Sequence, residues 1–255
     1  MSDMIELPGA LPDDPPLRVA LRRSGRVRRL SLRVSHLDGR ATLSMPKGAP
    51  RRAAERFVAD KAQWLREMVA RSTVACEVAA GIDLPLEGRP HRLVVGAGRR
   101  VVLGDGRIEL PSASASASSS AAGGTGPAPK AAPNAASALA GALKALARDR
   151  LVAASDHHAA KLGRGYGRIT LRDTRSRWGS CSSQGNLMYS WRLILAPPEV
   201  LDYVAAHEVA HLDQMNHSPA FWAVVADLCP GYEGPRAWLR RNGSSLHAWR
   251  FELTG

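Results

Sequence analysis

The stretch His207–Trp222 reads HEVAHLDQMNHSPAFW, with three histidines and one glutamate inside eleven residues. It constrains the fold more than any other segment, because the four side chains can act together only if the backbone takes a definite path. His207 and His211 are four residues apart, so on a helix their rings share a face. A helix running straight on would carry His217 away from that face. The chain must therefore turn near residues 214–216 if the three rings are to meet. Ser218 reads as a helix N-cap and Pro219 as the first helical residue of PAFWAVVADL, which leaves His217 at a joint between two helices.

Three histidines with an open fourth position form the donor set of a catalytic zinc site. The expectation is one Zn2+ per chain, held by His207, His211 and His217. Glu208 follows the first histidine too closely to share its face as a ligand. It can reach a water at the open position, where a carboxylate acts as general base and then as proton shuttle. The three-histidine spacing normally carries a glycine between the second and third histidines, and here that position is Gln214. Asn216 tolerates the left-handed conformation as glycine does, so it is the expected pivot of the turn. His157, His158 and His247 lack such a context and read as surface or structural residues.

The pattern along the chain is α+β. Residues 1–16 read as a disordered, proline-broken tail with no secretory signal. Residues 17–110 read as a basic β/α lobe. Its runs LRVALRR, VRRLSLRV and RATLSMP predict a small, three-stranded antiparallel sheet, with Asp38-Gly39 as a hairpin turn. Residues 51–72 predict one amphipathic helix, and further strands are expected at 91–95, 100–103 and 107–110. The Ala/Ser-rich segment 111–134 has no large apolar side chain and reads as a flexible linker or an inserted loop. Residues 135–255 then predict a catalytic domain. It has a helix to about 162, strands at 168–173 and 186–196, and a helix opened by Pro197-Pro198 that carries HEVAH.

The charge is +12 and uneven: residues 16–75 hold 15 Lys+Arg against 4 Asp+Glu, and residues 134–255 hold 14 against 10. The basic lobe can attract nucleotides or nucleic acid, or it is simply a solvated arginine-rich surface. No apolar run reaches the roughly 18–20 residues of a membrane span. Three scattered cysteines without a CxxC fit reduced thiols and a cytoplasmic location.

Residues 168–242, from RITLRDTRSRWGSCSSQGNLMYSW through HEVAHLDQMNHSPAFW to CPGYEGPRAWLRRNG, resemble the bacterial YgjP-like metallopeptidase family. That family is a minimal zincin related to SprT-like proteases. The N-terminal RRLSLRV, DGRATLSMPKGAP and KAQWL are similar to it too. The resemblance implies a zincin-like domain, a polypeptide substrate, His207, His211 and His217 as ligands, and Glu208 as the catalytic residue. The signature Arg177-Trp178-Gly179-Ser180-Cys181 is expected beside the metal, as a rim or edge strand that an extended peptide can pair with. Arg177, Trp178, Tyr189 and Arg192 are the candidate substrate-contacting or oxyanion-steadying residues.

A zinc metallopeptidase is therefore the leading expectation, with zinc-bound water activated by Glu208 attacking a peptide carbonyl. The first alternative is a metal-dependent nucleoside triphosphate pyrophosphatase, a label that members resembling this family also carry. No P-loop supports it. The second is a nucleic-acid-associated SprT-like protease docking through residues 16–75.

Overall fold

The computed structural model describes residues 3–8, 16–35, 39–70, 75–113 and 130–251. The chain divides into two compact units, Met1–Cys76 and Glu77–Gly255.

The first unit holds strands β1 (Met4–Leu7), β2 (Leu17–Ser24), β3 (Ser31–Val34) and β4 (Ala41–Pro46), then helices α1 (Arg51–Asp60) and α2 (Ala62–Ala70). The strand order is β1-β2-β4-β3. The sheet is mixed rather than antiparallel, because β2 and β4 run parallel, with Leu21 opposite Leu43. β4 alternates buried and half-buried residues along its whole length, whereas β3 exposes Ser31 and Arg33. The strand with the complete apolar face takes the interior position, and the charged one lies at the edge. β1 arises within the segment expected to be a disordered tail. Its Ile5 and Leu7 are buried with Val19, Leu43 and Met45 against Ala54, Val58 and Leu65 of the helices. Gly39 has a positive φ of 64°, as a hairpin turn needs, while Asp38 lies outside the described residues. The expected single helix is broken at Lys61 (φ −103°, ψ 11°). Lys61 interrupts the apolar stripe, and at the break it is exposed.

After the short β5 (Cys76–Glu77), the second unit opens with β6 (Asp83–Leu86), β7 (Arg89–Val95), β8 (Val102–Gly104) and β9 (Arg107–Leu110), in the order β6-β7-β9-β8. Leu84, Leu86, Leu93, Ile108 and Leu110 share one core with Leu139, Leu143 and Leu151 of α3 (Ala135–Leu162). These strands therefore belong with the C-terminal part of the chain, and the boundary lies at residue 76 rather than near 110. The segment 111–134 lies within the second unit, so of its two readings the inserted loop fits and the linker between lobes does not. Its ends meet: Ala132 N–H donates to the Pro111 carbonyl at 2.8 Å and Ala113 N–H to the Lys130 carbonyl at 3.0 Å.

A second sheet, ordered β10-β12-β11, is formed by β10 (Ile169–Arg172), β11 (Gly179–Cys181) and β12 (Leu187–Ser190), with β11 at its edge. The apolar run expected as one strand to residue 196 instead becomes a 3-10 turn over Trp191–Leu195, all five residues of which are buried. A continuous apolar run does not distinguish a buried strand from a buried helical turn. The chain then enters α4 (Pro198–Ala210), followed by α5 (Pro219–Leu228), α6 (Glu233–Leu246) and the short β13 (Trp249–Arg250). α4 is buried nearly all round, as expected for a central helix. Among the described residues no helix is long and apolar enough to cross a membrane.

Candidate metal centre

His207 lies in the last turn of α4, and His211 is the residue that caps it. The turn after it differs from the expected one. Glu87 is the only non-glycine residue with positive φ among the described residues, so Asn216 is not left-handed. Instead its Oδ1 accepts the Ser218 N–H at 3.1 Å, a side-chain turn of the kind Asn favours. Ser218 Oγ in turn accepts the Phe221 N–H at 3.4 Å, and Pro219 opens α5 as predicted. Gln214 needs no glycine conformation. Its carbonyl lies 2.9 Å from His211 Nδ1. A carbonyl only accepts, so Nδ1 carries the proton and Nε2 keeps its lone pair for a ligand.

The three histidines converge, with one donor atom from each lying within 4.8 Å of the others. His207 Nε2 and His217 Nε2 are 3.1 Å apart. Two nitrogens bound tetrahedrally to zinc at 2.0–2.1 Å stand about 3.3 Å apart, so this spacing fits an ion with little adjustment. Phe221 is buried against all three rings, with centroid distances of 4.9 Å to His207, 4.5 Å to His211 and 4.8 Å to His217. Burial, then the neighbouring His211, His217 and Arg236, hold the His207 imidazole down at about 3. His211 is lowered as well, by burial first and then by His217. Neutral imidazoles are the form that binds metal.

Glu208 is buried at 5 % exposure, and burial pushes its carboxyl up to about 8, with the Arg177 charge opposing. Its position depends on Gly179 of β11. A Cβ placed there would stand 2.4 Å from Glu208 Oε1 and 2.6 Å from its Cγ. The edge strand and the carboxylate are thus in contact because residue 179 has no side chain.

Of the four candidate substrate residues, the structure leaves one free. Tyr189 is fully buried, and its hydroxyl lies 3.0 Å from Ser155 Oγ, so it is a core residue. Arg192 is committed as well. It pairs with Asp173 at 2.6 Å and donates to the Leu246 and Trp249 carbonyls at 3.0 Å each. Trp178 stacks on His247 at 4.7 Å and packs on Gly243, which anchors the segment leading to Gly179. Arg177 is exposed, and its charge bears on Glu208.

Several site residues were not singled out from the sequence. Trp222 lies 5.7 Å from the His207 ring and 5.9 Å from the His217 ring. Tyr232 stacks on Trp222 at 5.4 Å and on Tyr203 at 6.2 Å, and the Arg236 guanidinium carbon lies 4.2 Å from the Trp222 centroid. Tyr203, one turn before His207 on α4, was within reach of the four-residue spacing rule. Tyr232 and Arg236 come from α6 and its start; they fall in the CPGYEGPRAWLRRNG run that carries the resemblance, but no spacing rule ties them to the histidines.

A family model described as YgjP-like, metallopeptidase domain, matches residues 28–242. The chain belongs to the YgjP-like metallopeptidase family. Its activity class is accordingly that of a metal-dependent peptidase. The crystal structure of the metallopeptidase zymogen of Pyrococcus abyssi abylysin aligns with 35 % of this chain and 93 % of its own. That match has 21 % identity and a TM-score of 0.32. No curated protein matches.

Proposed function

We propose that this YgjP-like chain is a zinc metallopeptidase of the HExxH…H type. His207, His211 and His217 hold the ion, and Glu208 is the general base. The observation that carries the reading is the meeting of three imidazole donors beside a buried carboxylate. The donor set fits zinc: three nitrogen ligands, two of them 3.1 Å apart, and His211 fixed in one tautomer by the Gln214 carbonyl. Zinc bound there supplies a Lewis acid and lowers the pKa of water to about 7.

The chain's own residues perform the proton transfers. Glu208 takes a proton from the attacking water as its oxygen bonds to the peptide carbonyl carbon. When the C–N bond breaks, Glu208 gives that proton to the departing nitrogen. Burial raises the Glu208 carboxyl above its ordinary value in the metal-free site, and a zinc ion beside it would favour the ionised base. The edge strand β11, beside Glu208, is the surface on which an extended polypeptide can add as a further strand.

Glu208→Gln should keep about one zinc per chain and lose roughly 100- to 10,000-fold in cleavage of an unfolded polypeptide. His207→Ala should lose the zinc. A Glu208→Gln protein cleaving at the wild-type rate, or a His207→Ala protein with full zinc content, would falsify the assignment.

A further inference from the structure

The proposed reaction places a negative charge on an oxygen, and two of the three residues expected to steady that charge are occupied elsewhere. Tyr189 is buried against Ser155, and Arg192 is occupied by Asp173 and two carbonyls. Two cations are left to compare, Arg177 of that first set and Arg236, which the sequence did not mark. Arg177 is exposed, and its charge bears on Glu208, where it favours the ionised base. Arg236 differs in every respect. It is half-buried, and its guanidinium lies over the Trp222 ring at 4.2 Å. That ring is 5.7 Å from His207 and 5.9 Å from His217.

Arg236 has neither a carboxylate partner nor a guanidinium hydrogen bond among the described residues. A half-buried guanidinium without an anion sacrifices hydration for no compensating pair. Its place over an indole ring holds it without using its N–H donors, which stay free for an incoming oxygen.

We infer that Arg236 is a further catalytic residue, binding the anionic oxygen of a tetrahedral group formed beside the three histidines. This rests on the metallopeptidase reading. Water's oxygen bonds to the carbonyl carbon, its proton goes to Glu208, and the C=O π pair moves onto the carbonyl oxygen. Arg236 donates to that oxygen. When the pair returns, the C–N bond breaks and nitrogen leaves with the proton from Glu208. A tetrahedral phosphoryl group offers the same oxygens, so the ligand class is a tetrahedral oxyanion, and the substrate arm of the test distinguishes its two sources.

The test uses the full-length, zinc-loaded chain. Binding of inorganic phosphate is measured by calorimetry for wild type, Arg236→Met, Arg236→Lys and Arg177→Met. In parallel, an unfolded polypeptide and a nucleoside triphosphate are assayed as substrates. Arg236→Met should keep its zinc, weaken phosphate binding at least tenfold, and lower kcat on the polypeptide about 100-fold with KM little changed. Arg236→Lys should recover part of both losses. Four outcomes overturn the role. They are wild type that binds no phosphate, Arg236→Met binding within twofold of wild type, an equal loss in Arg177→Met, and a loss confined to KM. Hydrolysis of the triphosphate alone would instead overturn the peptidase reading, while phosphate binding would still decide the role of Arg236.

Discussion

Replacing Gly179 by alanine should disable the proposed base while leaving every metal ligand untouched. The added Cβ would stand 2.4 Å from Glu208 Oε1, 2.6 Å from Cγ and 2.7 Å from Cδ, where ordinary contact begins at 3.4 Å. The carboxylate must therefore retreat by about 1 Å, a displacement that can cost on the order of 100-fold in rate. Because Cγ is among the clashing atoms, turning the carboxylate alone does not relieve the overlap. The helix cannot give way either, since Ala205, Val209 and Ala210 around Glu208 are fully buried. A 100-fold loss is about 2.7 kcal/mol of barrier. The same overlap should lower stability by roughly 1–3 kcal/mol. The assay is cleavage of an unfolded polypeptide by zinc-loaded Gly179→Ala, with zinc content and thermal midpoint measured on the same sample. A folded, fully zinc-loaded variant with kcat/KM within threefold of wild type would refute the reasoning. So would an activity loss that merely tracks lost zinc.

Arg192→Met should destabilise by roughly 2–4 kcal/mol, because it strands the Leu246 and Trp249 carbonyls and unpairs the half-exposed Asp173. Its zinc-loaded folded fraction should keep wild-type kcat, and a selective kcat loss would restore Arg192 to the site. Burial and Arg192 hold the His247 imidazole down at about 4, below its ordinary 6.5, with Asp173 opposing. Between those values the unfolded chain binds the extra proton, so stability falls as pH falls. By pH 5 this histidine should account for roughly 2 kcal/mol of the loss. Urea unfolding at pH 7.5 and pH 5 should show a smaller acid loss in His247→Gln than in wild type, and an unchanged loss would remove His247 as the cause.

The three-histidine stretch was largely legible because its physics is local. A four-residue spacing sets two rings on one helix face, and Ser218-Pro219 starts the next helix wherever the rest of the chain goes. The family resemblance was legible for a related reason, since it rests on runs of adjacent residues such as HSPAFW. The turn itself was expected correctly in place and wrongly in mechanism. Asn216 acts through a side-chain acceptor, and Gln214 through its carbonyl. Strand order in the first unit was not legible, because a two-residue alternation reports which face is buried and not which strand is the neighbour.

The sequence by itself thus determined a helix, a joint and a second helix that can bring three imidazoles together, along with the carboxylate beside them. Only the tertiary structure decided which other residues meet them. Gly179 touches Glu208 across 29 positions, Arg192 is claimed by carbonyls 54 and 57 positions away, and Arg236 of another helix lies over Trp222. Such contacts depend on how β11, α4 and α6 pack, and no short-range spacing encodes that packing.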